Sequence, residues 1–314
     1  MTNDKSFVTS GDIQIHKTTY GGWPNCIRLA NDQIELIVTT DVGPRIMRFG
    51  FIGSQNFLKE FEGHLGKSGG DEWRIYGGHR LWHAPEAYPR TYAPDNDPVE
   101  YERINDRLKL KQQIESMTGI VKEIEIALEP NANRVTIKHR LTNMGEEIEL
   151  APWALTAMAQ GGRAILPQEP YRPYPEVLLP VRSLVLWSYT NMSDPRWRWG
   201  AKYIQLRQDP ETGAKQKFGI LNTQGWGAYY LKGEVFIKKF PYEAGANYPD
   251  FGCNTEVFTD EGMLELESLG PLTKLQQGDS IEHTEQWYLF RAELDDESED
   301  SLDKKLLPRL IAQA

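Results

Sequence analysis

The chain has 314 residues, 39% hydrophobic and 25% charged, with 27 glycines and 19 prolines; this globular composition excludes disorder and collagen-like repeats. Its 35 Lys and Arg against 45 Asp and Glu leave a net charge of −10, a field that repels a phosphate backbone or an anionic bilayer, so nucleic acid and membrane are not expected partners. Cys26 and Cys253 are too few for a disulfide framework, and neither a leader-like apolar stretch in residues 1–10 nor an 18-residue apolar run is present, so a cytoplasmic protein is expected.

The dominant hydrophobic period is two. In chain order, strands are expected over 33–39, 45–52, 107–114, 121–128, 134–141, 147–159, 183–189, 225–231, 234–240, 263–269 and 281–290. Arg107-Leu-Lys-Leu-Lys-Gln-Gln-Ile114 shows the pattern of a half-buried antiparallel strand, with one face on a core and one in water. Two long proline-rich stretches, 77–98 and 166–182, interrupt the strands, and loops of this length usually carry function. Residues 293–303 form an acidic run leading into the one convincing helix, 300–313, with Leu302, Leu306, Leu307 and Leu310 on one face. The expected fold is all-β: a large antiparallel β-supersandwich with a short C-terminal helix. A single domain is expected over 1–314, with its strand core at 10–292 and the acidic segment and helix at 293–314.

Candidate chemistry concentrates in three places. Gly77-Gly-His-Arg-Leu-Trp-His-Ala-Pro-Glu86 packs two imidazoles, a guanidinium, an indole and a carboxylate behind two glycines. If this segment is extended, His79 and His83 share one face while Arg80 and Trp82 share the other. Trp82 then offers an apolar platform for a sugar ring, and Arg80 a bidentate donor. His79, His83 and Glu86 have the chemistry of metal ligands, but Pro85 opposes the helix that would gather them, so no metal is expected. In Met263-Leu-Glu-Leu-Glu-Ser-Leu-Gly-Pro271, Glu265 and Glu267 point the same way about 6.6 Å apart, while Leu264 and Leu266 enter the opposite layer. Paired carboxylates can hold one proton between them, as a general base requires, although a solvated strand face reads the same way. Along 281–290, His283 and Glu285 alternate with Ile281, Trp287 and Leu289, which predicts a buried pair supporting a site from beneath. Arg45 follows a Gly-Pro turn and is either a surface charge or aimed at a pocket, and Trp153 reads as core. No serine-hydrolase elbow, phosphate-binding loop, dinucleotide fingerprint or His-Glu-x-x-His is present.

The passage Leu266-Glu-Ser-Leu-Gly-Pro-Leu272, followed by Leu275-Gln-Gln-Gly-Asp-Ser and Trp287-Tyr-Leu-Phe290, resembles the end of aldose 1-epimerases (galactose mutarotases). Gly77-Gly78 followed by Trp82 is similar to the Gly-Gly stretch of mutarotases and glucose-6-phosphate 1-epimerases. The resemblance implies a β-supersandwich with a carbohydrate cleft, a small sugar or glycan as partner, and no cofactor. It implies that Glu267 takes the proton of the anomeric hydroxyl while a histidine protonates the ring oxygen. Two positions depart from the family: Tyr76 stands where mutarotases have histidine before Gly-Gly, and residues 149–155 contain no histidine. The nearest candidates for the acid are therefore His79 and His83, with Arg45, Arg80, Trp82, Glu86 and Glu265 shaping the pocket. Two other functions fit the same scaffold: a carbohydrate-binding module without turnover, and an oligosaccharide lyase or hydrolase, the latter on fold analogy alone.

Overall fold

The computed structural model describes residues 13–295 and 298–311; the N-terminal stretch read above for a leader, and the last residues of the expected helix, lie outside them. Among the described residues, 21 strands form two antiparallel sheets. The first sheet runs, edge to edge, β1 (Gln14–Tyr20), β2 (Trp23–Ala30), β3 (Ile34–Thr39), β4 (Arg45–Phe51), β5 (His79–Ala84), β10 (Ile148–Met158), β19 (Leu264–Leu269), β18 (Thr255–Thr259), β15 (Gln216–Ile220) and β12 (Val185–Leu186). The short β20 (Thr273–Leu275) pairs with the start of β10. The second sheet runs β13 (Trp197–Trp199), β14 (Tyr203–Arg207), β11 (Arg163–Pro167), β16 (Trp226–Leu231), β17 (Glu234–Lys239), β21 (Ser280–Arg291), β9 (Arg134–Asn143), β8 (Ile120–Leu128), β7 (Arg107–Lys111) and β6 (Glu100–Ile104). This is the all-β sandwich that the alternating pattern predicts.

Alternation explains how the layers form. One face of each sheet contributes to a shared core, with Leu36, Phe49, Leu81 and Leu266 from the first meeting Leu108, Ile137, Phe236 and Trp287 from the second. Phe49 of β4 crosses the interface to lie 5.3 Å from Trp287 and 5.8 Å from Phe236, ring centre to ring centre. Fully burying each such side chain stabilises the fold by about 1.5–3 kcal/mol. On its other face the second sheet is covered by the helix Glu299–Ile311, whose Leu302, Leu306 and Leu310 pack on Ile165, Val235 and Ile237, with Leu307 half-buried beside them.

The sequence pattern is corrected in two regions. The stretch 77–98 is not irregular throughout: its first part is β5, paired with β10 in the middle of the first sheet. Its two glycines make this possible. Gly77 (φ +91°) and Gly78 (φ +70°) are left-handed, and a Cβ on either would sit 2.1 Å from the Lys59 carbonyl oxygen or 2.3 Å from that of Ile46. In the stretch 183–189, only Val185–Leu186 pairs, at the sheet edge. The preceding loop exposes Tyr171, Tyr174, Leu178 and Leu179.

Candidate functional site

The first sheet turns one face to the core and the other away from the second sheet. Strand parity places Arg80 and Trp82 of β5, Trp153 and Leu155 of β10, and Glu265 and Glu267 of β19 on that outer face. Cross-strand pairing sets Arg80 opposite Leu155, Leu155 opposite Glu267, and Glu267 opposite Glu256 of β18. Leu264 and Leu266 enter the core, as expected for residues alternating with the two glutamates.

Glu267 is fully buried. Its Oε2 accepts a hydrogen bond from the Trp153 indole Nε1–H at 2.7 Å and from Lys217 Nζ of β15 at 3.4 Å, while its Oε1 has no partner. Lys217 Nζ also lies 2.8 Å from Glu256 Oε2 and is flanked by the rings of Trp153 and Trp187, 4.8 and 4.6 Å from their centres. Burial pushes both carboxyls above their ordinary range: that of Glu267 is raised by desolvation against the pull of Lys217, and that of Glu256 by desolvation with the Glu267 charge added. The same two carboxylates overcome the effect of burial on Lys217 and raise the ammonium above its usual range, so it stays charged.

Two further ion pairs flank this triad. Arg80 stacks on Trp82, 4.5 Å from the ring centre, with its Nη2 3.0 Å from Glu265 Oε1. Trp82 in turn packs edge-on against Trp153 and Tyr92. Arg45, fully buried, donates to the Gly77 carbonyl at 2.7 Å and to Asp95 Oδ2 at 2.5 Å, holding the glycine pair against the sheet. Glu86 is exposed on the loop after β5 and accepts from the Tyr92 hydroxyl. The triad is closed to solvent in this conformation. Surface hollows occur elsewhere, one of about 470 Å³ beside Ile114, Val121 and Met144.

His79 and His83 do not join Glu267. Strand alternation turns both into the inter-sheet layer, away from the face that carries the glutamates, which corrects the expectation that either supplies an acid there. His79 Nε2 lies 2.7 Å from His139 Nε2, and its Nδ1 2.9 Å from Thr156 Oγ1. His139 Nδ1 faces the His283 carbonyl at 2.9 Å and must donate to it, so His139 Nε2 accepts from His79 and His79 Nδ1 accepts from Thr156. His83 Nδ1 accepts from Arg90, and its Nε2 is 3.8 Å from Glu115, whose carboxylate also meets Lys122. Burial lowers both imidazoles, His79 well below the ordinary value.

Beneath the site, His283 and Glu285 are buried as the alternation predicts, joined through Ser268 rather than directly. Ser268 donates to Glu285 at 2.5 Å and receives His283 Nε2 at 2.7 Å, while Lys238 (2.8 Å) and the Trp287 indole (2.8 Å) complete the shell of Glu285. His79, His139 and Glu285 bring three potential metal ligands within 4.8 Å of one another. The Lys238 ammonium already balances Glu285, and each imidazole nitrogen facing the group already has a hydrogen-bond partner. A divalent cation here would add buried charge without a counter-charge, so the cluster reads as a charge-balanced network.

Trp153 is core, as the sequence suggests, buried with Trp82, Leu155 and Leu269, and in addition its indole holds Glu267. Sequence reasoning missed Lys217 and Glu256 because their strands, 216–220 and 255–259, were not among those expected. The β-branched and aromatic residues of Thr255-Glu-Val-Phe-Thr were the one local strand signal there.

No protein-family model matches the chain, and no curated protein matches it in sequence. Solved structures do. Slr1438 from Synechocystis sp. PCC 6803 is similar over 88% of this chain and 100% of its own, with a TM-score of 0.58 at 12% identity. A galactose mutarotase-like protein from Lactobacillus casei is similar over 85% of this chain and 100% of its own (TM-score 0.51, 11% identity). Another from Clostridium acetobutylicum is similar over 89% and 99% (TM-score 0.53, 10% identity). The two-sheet antiparallel sandwich and these likenesses agree: the chain has the galactose mutarotase-like fold.

Proposed function

We propose that the protein interconverts the anomers of an aldose, with Glu267 taking the proton of the anomeric hydroxyl. The observation that carries this reading is the environment of Glu267: a buried carboxyl on the outer sheet face, oriented by the Trp153 N–H, with one oxygen lacking a partner. A carboxylate raised by burial is a stronger base than one in water, and a fixed hydrogen bond aims it. Trp82 and Trp153, buried under Arg80 and Lys217, carry indole faces of the kind a sugar ring stacks on once those side chains move aside. The named cations of this face are already paired, Arg45 with Asp95, Arg80 with Glu265, and Lys217 with Glu256 and Glu267. That arrangement favours an uncharged aldose over a phosphorylated or acidic one. Because the triad is closed, substrate entry requires the side chains over Lys217, Trp187 among them, to move aside.

Proton NMR of freshly dissolved single anomers tests the reading, with neutral, acidic and phosphorylated aldoses compared on the parent and Glu267→Gln proteins. The expected result is accelerated exchange of a neutral aldose by the parent and a loss of about 10²–10⁴-fold in the variant. Saturable sugar binding without exchange would support a binding module instead. Equal rates in parent and variant would overturn the role of Glu267.

A further inference from the structure

We propose that Glu256 is the proton donor that answers Glu267, the two carboxyls passing one negative charge across Lys217; this rests on Glu267 being the base. Glu256 and Glu267 are directly opposite each other on β18 and β19, on the same sheet face, whereas every histidine near β5 lies on the other side. Lys217 Nζ reaches both, at 2.8 and 3.4 Å. Glu256 and Glu267 are fully buried and Lys217 nearly so, and an Oε1 on each glutamate has no partner.

Charge accounting then assigns the proton. One ammonium balances one buried carboxylate, not two, and leaving the second ionised is far less favourable than protonating it. The Trp153 N–H adds a donor to Glu267 alone, so the charge rests on Glu267 and the proton on Glu256. Burial, the Glu267 charge and Asp250 push the Glu256 carboxyl up against the pull of Lys217, in the direction this assignment requires.

The step balances without a co-reactant. Glu267 takes the proton from O1, and the O1–H electron pair becomes the second bond of the C1 carbonyl. The C1–O5 pair moves to O5, which takes the proton from Glu256. After rotation about C1–C2, the reverse transfers close the ring as the other anomer. Both protons move at oxygens bonded to the same carbon, and the charge moves from one glutamate to the other beside the same ammonium. Buried net charge is therefore unchanged throughout, a condition that keeps the electrostatic cost of the step low.

Glu256→Gln, Glu256→Asp and Glu267→Gln, each checked for folding by circular dichroism, test the assignment on the aldose that the parent exchanges. The expected result is a kcat about 10²–10⁴-fold lower in Glu256→Gln with KM nearly unchanged, and partial recovery in Glu256→Asp. Infrared spectroscopy supplies a readout independent of turnover: the parent at pH 7 should show a neutral carboxylic acid C=O band that is absent from Glu256→Gln and shifted in position in Glu256→Asp. Glu256→Gln exchanging at the parent rate while Glu267→Gln is inactive would overturn this proposal and leave the function standing. A neutral-acid band that persists in Glu256→Gln would also overturn it. A parent inactive on every aldose, or a fully active Glu267→Gln, would instead refute the underlying reading.

Discussion

Acid should destabilise this protein through its buried histidines between pH 7 and pH 5, and His283 allows the size of the effect to be worked out. Its Nε2–H donates to Ser268, whose hydroxyl proton goes to Glu285, so a neutral imidazole satisfies the network. Burial, aided by His139 and Lys238 and opposed by Glu285, holds its pKa down to about 3, against an ordinary 6.5. Between those values the unfolded chain binds a proton that the native state refuses. Stability is therefore fully present above pH 6.5 and declines as pH falls toward 3. Between pH 7 and pH 5 this group alone should remove about 2 kcal/mol. His79 and His139, also lowered by burial, act in the same direction, while the raised carboxyls of Glu256 and Glu267 act against it. Glu115, held at about 2 by Lys122 and His83 against burial, and Glu285, lower still, titrate outside this window. Comparison with His283→Gln isolates the term, because the amide can still donate to Ser268 and does not titrate. Urea unfolding of both proteins at pH 7 and pH 5 should show the variant losing about 2 kcal/mol less than the parent on acidification. Equal losses in the two proteins would refute the neutral, proton-refusing imidazole.

The inter-sheet layer makes two further predictions. Leu266 is fully buried in the shared core, so Leu266→Ala should lower unfolding free energy by about 2–5 kcal/mol with the urea m-value unchanged; a loss below about 1 kcal/mol would contradict its placement. Lys238→Met should cost about 3–5 kcal/mol, because it strands Glu285 in the core without its cation, and adding Glu285→Gln should recover part of the loss. Failure of the double variant to recover any stability would show that the pair is not coupled.

Much of the architecture was legible because it depends on alternation. Strands such as Arg107–Lys111 and Arg134–Asn143 alternate buried residues with partly or fully exposed ones, and their polar residues mark the period. The strands that build the site are different. His79–Ala84, Gln216–Ile220 and Thr255–Thr259 are almost wholly buried, so polar and apolar residues alike face protein and the pattern loses contrast. Gly77 and Gly78 signalled a close backbone approach, but nothing local indicated that the following strand pairs at the centre of a sheet.

The sequence alone determined which side chains share a face: Glu265 with Glu267, Arg80 with Trp82, His79 with His83, and His283 with Glu285. That follows from the period of a strand, a local property. Only the tertiary structure decided which face meets which neighbour. It set Glu267 against Trp153, Lys217 and Glu256, from strands far apart in the chain, and turned His79 and His83 into the core, where burial holds them neutral. Proton affinity depends on desolvation and on charges a few ångströms away, and those neighbours are fixed by sheet order and register rather than by sequence spacing.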